Sequence, residues 1–312
     1  MSTYLVTGGA GFIGSHLAET LVADGHEVRV LDNLSTGKRE NMQAFQTGIT
    51  YIEGDIRDVD TVERAVDGVE YVLHQAALAS VPRSIEDPLS SNQVNVLGTL
   101  NLLEAARKHS IKKFVYASSS SVYGDSDSLP KREDMAPNPK SPYAVGKLTA
   151  EWYCRVYSEL HDLPTVSLRY FNVFGPRQDP DSQYSAVIPL FVTALMRGQR
   201  PTIFGDGEQS RDFTYIDNVV EANLLSARSP ERGAMVFNVA CGERLSLNAL
   251  CTRLRSIIGV DLEPDFGPPR AGDVKHSQAS IDAIVSAFGY EARVDFDEGL
   301  KKTVAWYRGE GA

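Results

Sequence analysis

Cysteine is scarce in this 312-residue chain, and the three present (Cys154, Cys241, Cys251) form no CxxC pair. An odd count without paired spacing argues against a disulfide framework, so a reducing cytoplasm is the expected setting. Long apolar runs are missing too. No stretch reaches the ~18–20 residues of a membrane-spanning helix, and the opening MSTYLVTGGAGFIG lacks the basic and apolar segments of a signal peptide. Positive charge is also in deficit, with 31 Lys+Arg against 41 Asp+Glu and a formal net charge of −10. That balance excludes a protein that coats nucleic acid by displacing counterions. The six histidines show no ligand spacing with a cysteine or an acid cluster, so no metal site is expected. Internal repeats and low-complexity segments are absent as well.

What remains is an ordinary globular composition, 42% hydrophobic and 23% charged, long enough for one large or two modest domains. Through residue 170, short β-rich runs alternate with helical patterns. The strand candidates are 4–7, 27–32, 50–55, 71–76, 114–118 and 165–170, with helices expected over 12–24, 58–66, 92–109 and 142–161. Nearly continuous apolar strands between helices point to a parallel sheet covered on both faces. After residue 172, Pro and Gly punctuate shorter elements, which suits a smaller, loop-rich domain. The run VFNVA (236–240) reads as a buried strand returning to the first sheet.

TGGAGFIG (7–14) follows the first strand and opens the first helix, with Gly8, Gly11 and Gly14 three apart. Such glycines permit a tight turn, a close approach of backbone N–H groups to a pyrophosphate, and close helix–strand packing. The anion would sit on the helix N-terminus. Asp32 closes the second strand, 18 residues beyond Gly14, placed to accept hydrogen bonds from ribose hydroxyls. A carboxylate there repels a 2′-phosphate, which favours NAD over NADP. Asp55, ending the third strand, is a candidate for an adenine contact.

SPYAVGK (141–147) sets Tyr143 and Lys147 four positions apart. Alone, that spacing is an ordinary pair on one helical face. A run of four serines, 118–121, leaves the fifth strand at the sheet edge where a bound nicotinamide should lie. Those hydroxyls either cap their own loop or aim at a ligand. A phenol titrates near ~10. A nearby ammonium and a positive nicotinamide would favour the phenolate and draw that value toward neutrality.

Taken together, TGGAGFIGSHL, DNLSTG, GDIRD, HQAALASVPRS, SSSSVYG, SPYAVGK, LRYFNVFGPRQ, GDGEQSRDFTYIDN and GDVKHS run in order along the whole chain. They resemble the extended short-chain dehydrogenase/reductases, and within them the nucleotide-sugar 4-epimerases. The similarity is nearest to UDP-N-acetylglucosamine 4-epimerases, with UDP-glucose 4-epimerases next. The resemblance implies an α/β fold, a Rossmann doubly wound parallel sheet with a smaller C-terminal α/β substrate domain. The expected division is 1–171 plus a returning part near 212–240 for NAD, and the remainder of 172–312 for the nucleotide sugar. It further implies that Tyr143 is the acid–base, Lys147 its partner on the nicotinamide ribose, and Ser119 the catalytic hydroxyl. Ser118, Ser120 and Ser121 share the run, and the choice among them stays open.

By the same resemblance NAD contacts Phe12, Ile13, Asn33, Ser35, Thr36, Gly37, Ile56, Ala76, Ala77, Asn95, Ser118 and Tyr170. The sugar-nucleotide side comprises Ser80, Arg83, Ser119, Ser120, Asn172, Val187, Ile188, Phe204, Arg211, Arg270, Asp273 and Ser277, with Arg211 and Arg270 on the diphosphate and Asp273 on the uridine ribose. Ser277 takes a gate position where a large aromatic restricts the pocket to glucose and galactose forms. A serine leaves room for a 2-acetamido group. Dehydratases and decarboxylases of the superfamily usually carry an acid where this chain has Ser121. A UDP-glucuronate 4-epimerase, with Arg83 or Arg177 on the carboxylate, stays open as an alternative, as does a non-catalytic NAD-binding scaffold. Family analogy also implies a homodimer in which helices 92–109 and 142–161 pair with their copies. Stripes such as Leu100/Leu103 and Trp152/Val156 fit intramolecular core equally well.

Overall fold

The computed structural model describes residues 1–125, 128–180, 186–269 and 275–310. Its centre is a seven-stranded parallel sheet built from β1 (Thr3–Thr7), β2 (Glu27–Asp32), β3 (Ile49–Glu53), β4 (Tyr71–His74), β5 (Lys113–Ser119), β6 (Thr165–Tyr170) and a last strand, Ala234–Val239. The spatial order is β3-β2-β1-β4-β5-β6 followed by that last strand. Period-two alternation decides which face each side chain covers. Val6, Val30, Leu73 and Val115 join one apolar cluster, while their neighbours Leu5, Leu31, Val72 and Phe114 join another. Both faces are therefore buried, and β6 is buried at all six positions.

Helices α1 (Phe12–Ala23), α2 (Val59–Val66), α5 (Thr99–Lys108), α6 (Pro142–His161) and α8 (Ile216–Arg228) cover the sheet. After β4 the chain makes two short pieces, α3 (Val81–Glu86) and α4 (Pro88–Asn92), and then a π-turn over Gln93–Gly98 before α5. Each of the short helices starts on a Ser or Asp cap with a proline in its first turn. These two helices were absent from the sequence expectation, which took one helix from residue 92.

Beyond β6 the pieces are small. Val173–Phe174 pairs with Thr214–Tyr215, Ser210–Arg211 with Leu245–Ser246, and Thr202–Phe204 with Asp265–Gly267. Helices α7 (Val187–Met196) and α9 (Leu247–Ile258) pack on one another. Ile188, Phe191, Leu250 and Leu254 belong to the same cluster as Val6 and Leu17, so this region shares its core with one face of the sheet.

Strands are added to one side of β1 through β3 and to its other side from β4 on, and this switch point opens a crevice at the carboxyl ends of β1 and β4. Leu103 is fully buried and Leu100 packs on the same cluster, so that stripe is core. Trp152 and Val156 are 55% and 40% exposed, and that stripe is surface.

Candidate active site

The crevice holds a cavity of about 730 Å³ whose floor is the glycine turn. Gly8 has φ +68°, and a Cβ on it would come within 2.8 Å of the Ala76 backbone. A Cβ on Gly14 would meet the Gly8 carbonyl at 2.2 Å. Both positions therefore require glycine, one for the turn and one for the packing of α1 on β1. Gly11 caps α1 without a side-chain bond, so the helix offers backbone N–H groups and its positive end to the cavity.

Asp32 lies at the rim, where its carboxylate accepts from the backbone N–H groups of Ala10 (3.0 Å) and Leu34 (2.8 Å). It thus joins the glycine turn to the loop after β2 while still lining the cavity. Burial raises its pKa, and these two hydrogen bonds oppose the rise. Asn33 donates to Asp55 (2.8 Å), and Arg57 grips the same carboxylate at 2.9 and 2.7 Å. The Arg57 hydrogen bond leads in holding the Asp55 pKa down to about 2. Ser35, Thr36, Gly37, Ile56, Ala76 and Ala77 line the same space.

Tyr143, Lys147, Ser118 and Tyr170 line the inner end of that cavity. Proline at the first turn and the Ser141 hydroxyl, which accepts from the Ala144 N–H (3.2 Å), fix the start of α6. The next free donor, the Tyr143 N–H, is taken by Ser84 Oγ at 3.1 Å. Ser119 is the serine that hydrogen-bonds the Tyr143 phenol, and it also accepts from the Ser121 N–H (3.2 Å). One hydroxyl therefore caps the loop and meets the phenol together. Ser118 turns the other way and donates to Glu151. Lys147 is buried, donates to the Ala117 carbonyl at 2.7 Å, and holds Nζ 5.9 Å from the Tyr143 ring centre.

The influence expected of the ammonium on the phenol is not seen among the protein groups. Burial raises the Tyr143 pKa, and the opposing influence in the protein is the Ser119 hydrogen bond. Lys147 does not supply it, because burial pushes the lysine itself down to about 7 and its ammonium is aimed at Ala117. Asn95 also differs. It is absent from the residues lining the cavity, and its amide is used on both backbone groups of Leu78 (2.8 and 3.2 Å). Its effect is to shape the loop after β4.

A second cavity of about 590 Å³ is lined by Asn172, Val187, Ile188, Phe204 and Arg211, and Ala186 borders both cavities. Ser277 stands beside it, its N–H donating to the Ser210 carbonyl (3.0 Å) that also accepts from Arg211 (2.9 Å). Ser80 and Arg83 line neither cavity, and Ser80 caps α3 instead by accepting from the Arg83 N–H (3.2 Å). Ser120 lies next to Ser119 in a short helical turn. Arg177 lies at the cofactor cavity and pairs with Glu19. Arg270 and Asp273 fall outside the described residues. Among the described residues no group of His, Cys, Asp and Glu could hold a metal ion.

The glycine cradle, the rim carboxylate and the Tyr143–Lys147 pair thus line one continuous cavity. The profile of the NAD dependent epimerase/dehydratase family matches residues 4–240. The chain belongs to that family. A UDP-glucose 4-epimerase of Mycolicibacterium smegmatis is 41% identical, with 97% of this chain and 98% of that protein covered. A UDP-N-acetylglucosamine 4-epimerase of Methanobrevibacter ruminantium, solved with UDP-N-acetylmuramic acid, superposes with a TM-score of 0.95. It is 42% identical and covers 99% of this chain and 98% of its own. A Thermus thermophilus UDP-glucose 4-epimerase solved with NAD superposes with a TM-score of 0.89 at 40% identity, covering 98% of this chain and 99% of its own.

Family membership fits the residues present: NAD is the cofactor, and the glycine turn, Asp32 and Lys147 line the cavity of about 730 Å³. Residues that the motifs did not reveal include Gln75 and Asn223, which hold the Tyr170 hydroxyl at 3.2 and 3.1 Å. Ser84 and Glu151 were missed as well. Glu151 stands four residues after Lys147, a spacing visible in the sequence, whereas Ser84 has no local signal.

Proposed function

We propose that this chain is a UDP-sugar 4-epimerase that interconverts UDP-GlcNAc with UDP-GalNAc and UDP-glucose with UDP-galactose. The observation that carries the reading is the junction of two cavities at Ala186, one ending on Tyr143 and the other lined by Asn172 and Arg211. An arginine there suits a diphosphate, which a guanidinium can grip through paired donors. The likeness to UDP-sugar 4-epimerases across nearly the full chain supports the same reading.

Bound NAD supplies the two-electron acceptor and donor for carbon 4. Tyr143 takes the proton of the 4-hydroxyl, and Ser119 steadies the same oxygen and holds the phenol. Lys147, buried beside the phenol, would hold the nicotinamide ribose. The 4-keto sugar turns about its diphosphate tether, and Tyr143 returns the proton on the other face. Arg211 and the apolar wall of Val187, Ile188 and Phe204 keep the nucleotide seated meanwhile. We take residues 1–171 with about 212–240 as the NAD-binding unit and the remainder as the sugar-nucleotide unit.

The backbone bond from Ser277 to Ser210, beside Arg211, supports its role as a size gate. Separate incubations with UDP-GlcNAc, UDP-glucose and UDP-glucuronate, followed by NMR, test the substrate class. The first two should reach an epimer mixture, and turnover of UDP-glucuronate alone would overturn the assignment. The glucuronate reading finds less support, because Arg83 is exposed outside both cavities and Arg177 is engaged by Glu19. Ser277→Tyr should cut N-acetyl turnover at least tenfold while sparing UDP-glucose, and undiminished N-acetyl activity would remove the gate.

The exposed apolar stripe Val145, Trp152 and Val156 on α6, with Leu97 nearby in sequence to α5, supports a homodimer through these helices. Sedimentation of Trp152→Glu should then show a monomer where the wild type is a dimer. The three free cysteines suit a reducing cytoplasm.

A further inference from the structure

Directly behind the reacting pair lies a buried charge cluster that the proton transfer does not itself use. Glu151 sits one turn after Lys147 on α6, and Arg169 of β6 grips it in a fork at 3.0 and 2.8 Å. Both side chains are 5% exposed. The Ser118 hydroxyl donates to the same carboxylate oxygen. Ser118 stands between Ala117, whose carbonyl accepts from Lys147, and Ser119, which bonds the Tyr143 phenol. One carboxylate therefore ties the end of β5 to α6 and β6. The bracket extends to the last strand, since the Arg169 guanidinium lies 4.7 Å from the Tyr123 ring centre and Tyr123 donates to Asn238 at 2.7 Å.

A buried ion pair is a poor device for stability alone, because desolvation offsets most of the attraction. Its placement here gives it another use. We propose that Glu151, held by Arg169 and Ser118, is a positioning residue that locks the 117–119 strand end in register with Tyr143 and Lys147. The inference rests on Tyr143 as the acid–base of the site.

Among the described residues Glu151 is the acid that acts on Lys147. On α6 the lysine faces Tyr143 and Glu151, and on β5 the Tyr116 ring at 5.0 Å and the serines. From β4 comes His74, whose pKa burial lowers to about 3, so it is neutral at working pH. Burial pushes the Tyr116 phenol well above its ordinary value, so it too carries no charge. Arg169 stands behind Glu151 and is neutralised by it. Burial drives the lysine toward the free amine, and Glu151 is the charge that opposes this.

The test is an ultraviolet titration of the Tyr143 phenolate with NAD present, read as the difference from Tyr143→Phe in the same background. In Glu151→Gln/Arg169→Met the pair is replaced by neutral groups of similar volume, a change that buried pairs commonly tolerate. Its phenolate midpoint should rise by about one pH unit, the size expected when the 117–119 strand end slips and the Ser119 hydrogen bond that opposes the rise is lost, while Glu151→Asp stays near the wild type. Sugar-nucleotide KM should change less than about twofold while kcat at neutral pH falls about tenfold, the rate equivalent of that midpoint. An unmoved midpoint in the folded double variant overturns the proposal. Should circular dichroism show the double variant unfolded, Glu151→Gln decides by the same midpoint. The titration needs no sugar turnover, so a wild type inert toward UDP-sugars would remove the epimerase reading and leave this result standing.

Discussion

Tyr143, the proposed acid–base, would act through one hydroxyl, beside which stand the Ser119 donor and the buried Lys147 amine. Replacing it with phenylalanine removes only that oxygen. Tyr143→Phe should lower kcat by about 10²–10⁴-fold, the range for losing a positioned acid–base. NAD affinity, measured by fluorescence quenching, should hold within about threefold, because the cradle at Gly8, Gly11 and Asp32 is untouched. The residues at this scale that could be read from the sequence are those with local signatures. Gly8 and Gly14 sit in a spacing that only a tight strand-to-helix turn needs, and the structure gives each a contact that excludes a Cβ. Tyr143 and Lys147 were legible as a pair, but the direction of the phenol's shift was not. It depends on how deeply the ring is covered and where Nζ points, and neither is written in a four-residue spacing.

At the scale of elements, the placement of Tyr143 depends on how α6 begins. Ser141 caps the helix from its own turn, and Ser84 reaches across from α3 to the Tyr143 N–H. Ser84→Ala leaves that donor unpaired in a half-buried place. A stability loss of about 1–2 kcal/mol is expected by urea denaturation, together with a fall in kcat larger than any change in NAD affinity. A variant with unaltered stability and kcat would show that the bond from α3 is idle. Strand and helix edges with clean patterns were legible, since β2, β6 and α6 fall on the expected residues. The return of Ala234–Val239 to the sheet was legible from its apolar run. The segment after β4 was not. Its helices are only six and five residues long and give no period to recognise, and the π-turn that follows has no sequence signature. Ser84 lies in that unread segment, 59 residues from the backbone group it holds.

For the whole molecule, the buried histidines set a response to acid. His74 is enclosed between the hydroxyls of Thr7 (2.7 Å) and Thr99 (2.9 Å), and burial, with Lys147 second, lowers its pKa to about 3. An unfolded chain binds this proton near pH ~6.5. Between about pH 6.5 and 3 the unfolded state therefore holds more protons, and stability falls as pH falls. His74→Gln removes that dependence. Its melting temperature should decline less steeply than the wild type's from pH 6.5 to 4, and parallel curves would contradict the assignment. The same sign applies to His16, whose pKa burial lowers to about 4. A parallel sheet covered on both faces was legible from strand–helix alternation, because such a sheet needs apolar strands and covering helices. The sharing of one core between the sheet and residues beyond 172 was not legible, since that packing has no local pattern.

The central claim is that one site withdraws hydrogen from carbon 4 of a UDP-sugar and returns the same atom to the opposite face. UDP-GlcNAc deuterated at carbon 4 tests it directly. With the purified protein and NAD in ordinary water, the UDP-GalNAc formed should retain deuterium at carbon 4, as read by NMR and mass. Exchange of that deuterium with solvent, or epimerisation that persists at the wild-type rate in Tyr143→Phe, would contradict the account.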